Sequence, residues 1–230
     1  MPEAAPHLDE EIDVDHDTAL DALAYEWIRD RIIDGTMKHG SRVRERDIAA
    51  QLGVSRNPIR EALPRLEAEG YIRTLHRRGA VVTPMRVREI IELFSVRAVL
   101  EPLSAREAAQ RCAEGASAEP LLACLAAAEE AMSSGDAHRI ADATAAFHDV
   151  IVELSGNVLL QQISLPISGR VRRYFNIITQ EGDANTHDEH RLLCEAIAGG
   201  HVEWAGSLAA AHLEHGRVSS MKIVDQLFEP

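Results

Sequence analysis

"LGVSRNPIREALPRLEAEGYI" spans residues 52–72. Its apolar side chains Ile59, Ala62, Leu63 and Leu66 recur at helical spacing, which puts them on one face. Ser55 stands just before them, where a hydroxyl can accept a backbone N–H as an N-cap. Pro58 falls in the first turn, where its missing N–H costs nothing. Gly70 offers a stop. A shorter helix precedes, over residues 45–52, turning Ile48, Ala49 and Leu52 inward and ending at Gly53. Upstream, Leu20, Leu23, Ala24, Trp27, Ile28 and Ile32 form another helical stripe, closed by Gly35. Downstream, "YIRTLHRRGAVVTP" (71–84) alternates like a two-stranded hairpin whose tip, His76-Arg77-Arg78-Gly79, is basic.

Two short helices joined tightly and followed by a hairpin form the layout of a winged helix-turn-helix. In that layout the N-terminal residues of the second helix meet base edges in the major groove of double-stranded DNA. Here those residues are Ser55, Arg56, Asn57 and Arg60. Arginine can fork onto guanine O6 and N7, and asparagine can pair with adenine N6 and N7. Arg46 opens the preceding helix, and Arg42 and Arg44 lie just before it, within reach of phosphate. One residue departs from the pattern. Pro64 sits mid-helix and removes the hydrogen bond to the Arg60 carbonyl, which predicts a local kink after Arg60.

Charge is distributed to match. Residues 1–17 carry seven acids and no Lys or Arg. Residues 18–88 carry 14 Lys or Arg against nine acids, and residues 89–230 carry ten against 21. A basic block between two acidic ones is an electrostatic footprint for phosphate. The acidic, aperiodic residues 1–17 read as a disordered tail. Residues 18–84 read as the DNA-binding domain, and Pro84 marks its end. From 85 to 230 the patterning is helical, with predicted helices over 86–111, 119–133, 136–155, 157–181, 186–198 and 202–227. The fold class is mainly α: a winged helix-turn-helix and an all-α bundle. No apolar run approaches the ~18–20 residues that cross a bilayer, and residues 1–17 hold no apolar signal segment. The chain reads as cytoplasmic with no membrane partner. Three distant cysteines, Cys112, Cys124 and Cys194, argue against a disulfide framework.

The stretch "IIDGTMKHGSRVRERDIAAQLGVSRNPIREALPRLEAEGYIRTLHRRGAVV" resembles the N-terminal domain of the GntR family of bacterial transcription regulators, through its core "LGVSRNPIREAL". The resemblance covers about residues 20–83. It implies a homodimer on a palindromic operator, with Arg46, Arg56 and Arg60 as the main DNA-contacting arginines. Ser55, Asn57 and the wing from His76 to Gly79 would assist. His39-Gly40 stands where the family usually has Pro-Gly.

Residues 86–227 resemble the all-helical, FCD-type ligand-binding domain of the fatty-acid-regulator branch. "FSVRAVLEPLSAREAA" (94–109), "AAFHDVIVELSGN" (145–157), "HDEHRLLCEAIAGGHVEWA" (187–205) and "AAHLEHGR" (210–217) carry the likeness. His148, His190 and His212 stand on three separate predicted helices, His190 just after a capping box from Thr186 to Glu189. Three imidazoles from one bundle can converge on a transition metal. Many members of this branch hold a divalent metal with three histidines and an aspartate one turn before the first. His148, His190 and His212 match the histidines, but the aspartate position is Thr144. A hydroxyl is a weak neutral ligand, so affinity should be reduced, with zinc or nickel as the expected ion. Effectors in this branch are commonly small carboxylates. Arg97 is the first candidate to pair with one, and Arg170 and Arg173 are further candidates. Arg97 could instead pair with Glu101 at i+4.

Two other functions fit parts of this pattern. A metal-sensing regulator would use the ion itself as the signal. A metal-dependent hydrolase would need a general base near the histidines, and none can be named. "HDEH" (187–190) places its histidines at i and i+3, not at the spacing of HExxH. The chain is therefore read as a ligand-responsive transcription regulator, a repressor released by its effector, and not as an enzyme.

Overall fold

The computed structural model describes residues 13–77, 79–178 and 187–227. They fold as two compact units that divide between Pro84 and Met85. Among them are nine helices and one two-stranded sheet.

The first unit holds α1 (Asp13–Ile33), α2 (Glu45–Leu52), α3 (Arg56–Ala68), β1 (Ile72–Leu75) and β2 (Gly79–Val82). Its core is one cluster in which Ile28, Ile48, Ile59, Leu66, Tyr71, Ile72 and Val82 are buried. Leu52 and Leu63 pack at its margin. Leu23 departs from the predicted α1 stripe and is exposed; Tyr25 is buried instead. The Tyr25 hydroxyl donates to Glu69, and the Arg65 guanidinium lies 3.6 Å from the Tyr25 ring centroid, fastening α1 to the end of α3. The antiparallel hairpin pairs Ile72 with Val82 and Leu75 with Gly79. Arg42 bridges to Val81, and the Val43 N–H donates to the Ala80 carbonyl at 2.9 Å, so the chain before α2 lines the hairpin's open edge.

Two expectations change here. α1 begins at Asp13, so residues 13–17, assigned by composition to a disordered tail, are helical. Acidic composition alone missed this because they continue into a helix whose later turns bury apolar residues. Ser55 takes the N-cap position with extended backbone, but its hydroxyl makes no capping hydrogen bond. Pro64 does not end the helix: α3 continues through it to Ala68. Pro64 and Arg60 both face solvent. Water can therefore satisfy the Arg60 carbonyl that lost its donor, while Ile59, Ala62 and Leu66 hold the other face in the core.

The second unit is all helical: α4 (Val87–Ala113), α5 (Glu119–Ser134), α6 (Ala137–Ser155), α7 (Val158–Ile178), α8 (His187–Ala198) and α9 (Val202–Leu227). Local signals set these limits. Asp136 caps α6 by accepting from the His138 and Arg139 N–H groups, and Gly156 ends α6 in the left-handed region, φ 65°. The expected extension of α7 to residue 181, and the Thr186 half of the α8 capping box, fall outside the described residues. α4 packs on α6, α7, α8 and α9 and forms the spine of the bundle. One apolar cluster joins α4, α5, α6, α8 and α9 around Phe147, Leu193 and Ile197. Another joins the start of α4 to α7 and α9 around Phe94, Val171 and Tyr174. The histidines lie where these layers meet.

Candidate functional site

In the bundle, α6 supplies His148, α8 supplies His190 and α9 supplies His212. All three are buried, and each offers a ring nitrogen within 4.8 Å of those of the other two. His190 Nε2 and His212 Nε2 stand 3.3 Å apart. Two imidazoles bound tetrahedrally at ~2.0–2.1 Å would place their nitrogens at about that separation. His148 Nε2 is buried and has no hydrogen-bond partner in the protein.

The opposite ring edges explain why the Nε2 atoms are available. His212 Nδ1 lies 2.8 Å from Glu189 Oε2, and His148 Nδ1 lies 3.4 Å from Glu101 Oε2. A carboxylate beside Nδ1 holds the proton there and leaves the Nε2 lone pair inward, the usual support of a metal-binding histidine. Glu189 also meets His215 Nδ1 at 2.6 Å. His190 is oriented by stacking on Phe147, with ring centroids 4.2 Å apart. Burial, then the Arg97 cation, pushes the His148 pKa well below the usual histidine range, and burial lowers that of His212. Both imidazoles are therefore neutral at pH 7, the protonation state a metal requires. The three-imidazole donor set fits a borderline divalent ion such as zinc.

Thr144 is one turn before His148, but its hydroxyl donates to the Ile140 carbonyl at 2.8 Å. Asp149 is turned away, accepting from Ser168 Oγ at 2.8 Å and Arg172 Nη2 at 2.9 Å. Among the described residues, the carboxylates nearest the cluster stand behind the rings, at Glu101 and Glu189.

A small pocket, with a cavity volume of about 40 Å³, opens beside His148. Leu100, Val152, Ile167 and Val171 give it apolar walls, and Arg97, Glu101 and Ser164 give it polar ones. Arg97 is buried, its Nε bonded to Glu101 Oε1. One carboxylate thus ties Arg97 to His148, so the intrahelical pair and the pocket position coexist. Ser164 Oγ is buried without a hydrogen-bond partner. Arg170 is exposed and Arg173 buried; neither is among the residues lining this pocket.

The sequence marks Glu101 only as a partner for Arg97, and Glu189 only as part of a capping box. Spacing signals only the first: Glu101 follows Arg97 at i+4, whereas Glu189 meets His212 from another helix, 23 residues away.

In the first unit, Arg46, Ser55, Arg56, Asn57 and Arg60 are all exposed. Arg56 and Arg60 both reach Glu45, at 3.0 and 2.9 Å. At the hairpin tip His76, Arg77 and Gly79 are exposed. Arg77 and Gly79 take positive φ, 61° and 73°, which turns the chain tightly there. Arg78 lies outside the described residues.

The model of the FCD domain matches residues 92–215, and that of the bacterial regulatory proteins of the gntR family matches residues 8–82. The chain belongs to the GntR family of transcription regulators. This GntR regulator is 27% identical over 198 residues to the HTH-type transcriptional regulator YdhC of Bacillus subtilis (strain 168), covering 83% of this chain and 86% of the relative. It is 25% identical over 210 residues to the HTH-type transcriptional repressor GlaR of Escherichia coli (strain K12), covering 85% and 92%. Its fold is similar to the crystal structure of a GntR transcriptional regulator from Rhodococcus sp. RHA1. The TM-score is 0.76 at 24% identity, over 89% of this chain and 98% of that one. The chain thus joins a gntR-type DNA-binding domain to an FCD domain. No helix among the described residues is long and apolar enough to cross a membrane.

Proposed function

We propose that this GntR regulator is a repressor that binds a palindromic operator as a homodimer and lets go when a small carboxylate enters the pocket beside His148. The observation that carries this reading is the juxtaposition of three buried imidazoles, with ring nitrogens within 4.8 Å of one another, and a pocket walled by the buried Arg97. Arg46, Ser55, Arg56, Asn57 and Arg60 would face the major groove, and the wing of His76, Arg77, Arg78 and Gly79 would face the flanking backbone. The repressor direction is supported by GlaR, which is similar over most of both chains.

A bound zinc or nickel ion would be held by His148, His190 and His212, and would supply positive charge for an anionic effector. Arg97 would pair with the effector's carboxylate, and Ser164 would satisfy a second polar group. Leu100, Val152, Ile167 and Val171 would exclude water from the remainder. Arg97 and Glu101 lie on α4, which begins at Val87, three residues after Pro84. A ligand-driven shift of α4 would reach the DNA-binding unit through that short segment. DNA affinity changes to the extent that the ligand prefers one of two states.

A second copy has a surface to cover. Val96, Val99 and Leu103 share one exposed stripe of α4, and Leu159 and Ile163 are exposed on α7, which contacts α4. Exposed apolar side chains of this kind suit an association surface.

The test uses a duplex enriched from a random pool by the protein. Zinc or nickel together with small carboxylic acids should release it, and the same pair should raise the melting temperature. If no acid and no metal changes either quantity, the proposal fails. Metal-sensing is the second reading, favoured by the Thr144 hydroxyl being turned to its own helix, which leaves the ion more weakly held. Release by metal alone would establish it.

A further inference from the structure

We propose that Glu45 is the positioning residue of the DNA-reading surface, holding Arg56 and Arg60 so that their remaining donors face base edges and not phosphates. Glu45 opens α2, whereas both arginines lie on α3, one helical turn apart. Its Oε2 accepts from Arg56 Nη2 at 3.0 Å and from Arg60 Nε at 2.9 Å. These two cations hold the Glu45 carboxyl below the usual carboxylate range.

Two guanidinium groups at i and i+4 repel each other and rotate freely unless something lies between them. The arginine side chains are 54% and 53% exposed, and that of Glu45 is 27% exposed. Ion pairs this open to water add little to folding, so the consequence of this one lies in orientation. Glu45 engages Arg60 through Nε only. The two terminal nitrogens of Arg60 stay available for an end-on fork to guanine O6 and N7. Arg56 keeps its Nε and Nη1 donors. A negative charge between the two arginines also opposes a phosphate that would otherwise seat there. Glu45 therefore favours base contacts over backbone contacts without touching DNA itself, which is a contribution to specificity.

The test compares the full chain with Glu45→Gln, which keeps the size and removes the charge. Affinity is measured for two duplexes of equal length: one enriched from a random pool by the unaltered protein, the other a scrambled sequence. The ratio of the two affinities should fall about tenfold or more in E45Q, about what one lost arginine–guanine fork costs. Binding to the scrambled duplex should tighten. Melting temperature should not change, and Glu45→Asp, one methylene shorter, should give an intermediate ratio. A ratio within about twofold of the parent's overturns the proposal, since Glu45 would then only mask charge. A loss of both affinities together with a lowered melting temperature also overturns it, since Glu45 would then be structural.

Discussion

Nε2 of His190 and Nε2 of His212 stand 3.3 Å apart inside the helical bundle, although 22 residues separate them in the chain. With the Nδ1 proton of His212 held at Glu189, the His212 lone pair points at the His190 ring. In the absence of an ion the His190 Nε2–H can donate to it. With an ion present both nitrogens would become ligands. The carboxylates behind the rings would then set how tightly the ion is held. Glu101→Gln should weaken zinc or nickel binding about 10–100-fold, and His190→Ala should abolish it. Elemental analysis and metal titration of chelator-free protein check both.

Thr144→Asp should strengthen the same site. It places a carboxylate one turn before His148 and adds an anionic donor to three neutral ones. Metal affinity should rise on the order of tenfold or more, read by competition with a chromogenic chelator. An unchanged affinity would show that position 144 cannot reach the ion.

The depressed pKa values of His148 and His212 set a pH dependence for the metal-free protein. In the unfolded chain these imidazoles take up protons near pH ~6.5; in the folded chain they do so only at lower pH. Between those values the unfolded state binds more protons, so stability falls as pH falls. Melting temperature should hold above about pH 7 and drop progressively from about pH 6.5 downward. His148→Gln should flatten that slope.

Pro64 interrupts the hydrogen bonding of α3 on its exposed face without ending the helix. Pro64→Ala restores the N–H donor to the Arg60 carbonyl and relieves the ring. Stability of the DNA-binding unit should rise by up to about 3 kcal/mol, measured by denaturant unfolding, with operator binding preserved.

Arg60 and Arg77 should fail in different ways. Arg60→Ala should cost about 1–3 kcal/mol on the preferred duplex and relax its sequence preference. Arg77→Ala, at the hairpin tip, should weaken all duplexes alike and lower the salt slope by about one. Binding measured on matched and scrambled duplexes across a salt series separates them.

Much of the fold is legible in the residues themselves because its signals are local. Gly53 and Gly70 stop α2 and α3, and both take positive φ. Asp136 and Gly156 bracket α6, and alternation over 71–84 locates the hairpin. The family likeness rests on the same local features. Pro64 shows the limit of propensity: its ring removes one hydrogen bond, yet α3 runs on to Ala68 while Ile59, Ala62 and Leu66 hold the other face in the core. Leu23 is the instructive failure: periodicity assigns it to a stripe, and the neighbouring elements decide how wide the buried stripe is.

By itself the sequence determined the order of elements, the basic surface presented by α3, and the identity of three histidines on three helices. Each follows from spacing within one segment. Only the tertiary structure decided what those residues meet. Glu45 reaches Arg56 and Arg60 from another helix, Glu101 joins Arg97 to His148, Glu189 backs His212, and the Thr144 hydroxyl turns to its own backbone. These partners lie 11 to 47 residues apart, apart from the two contacts made within a single turn. Hydrogen bonds act over about 3 Å, so pairing at such separations depends on how the helices pack, which no local pattern encodes.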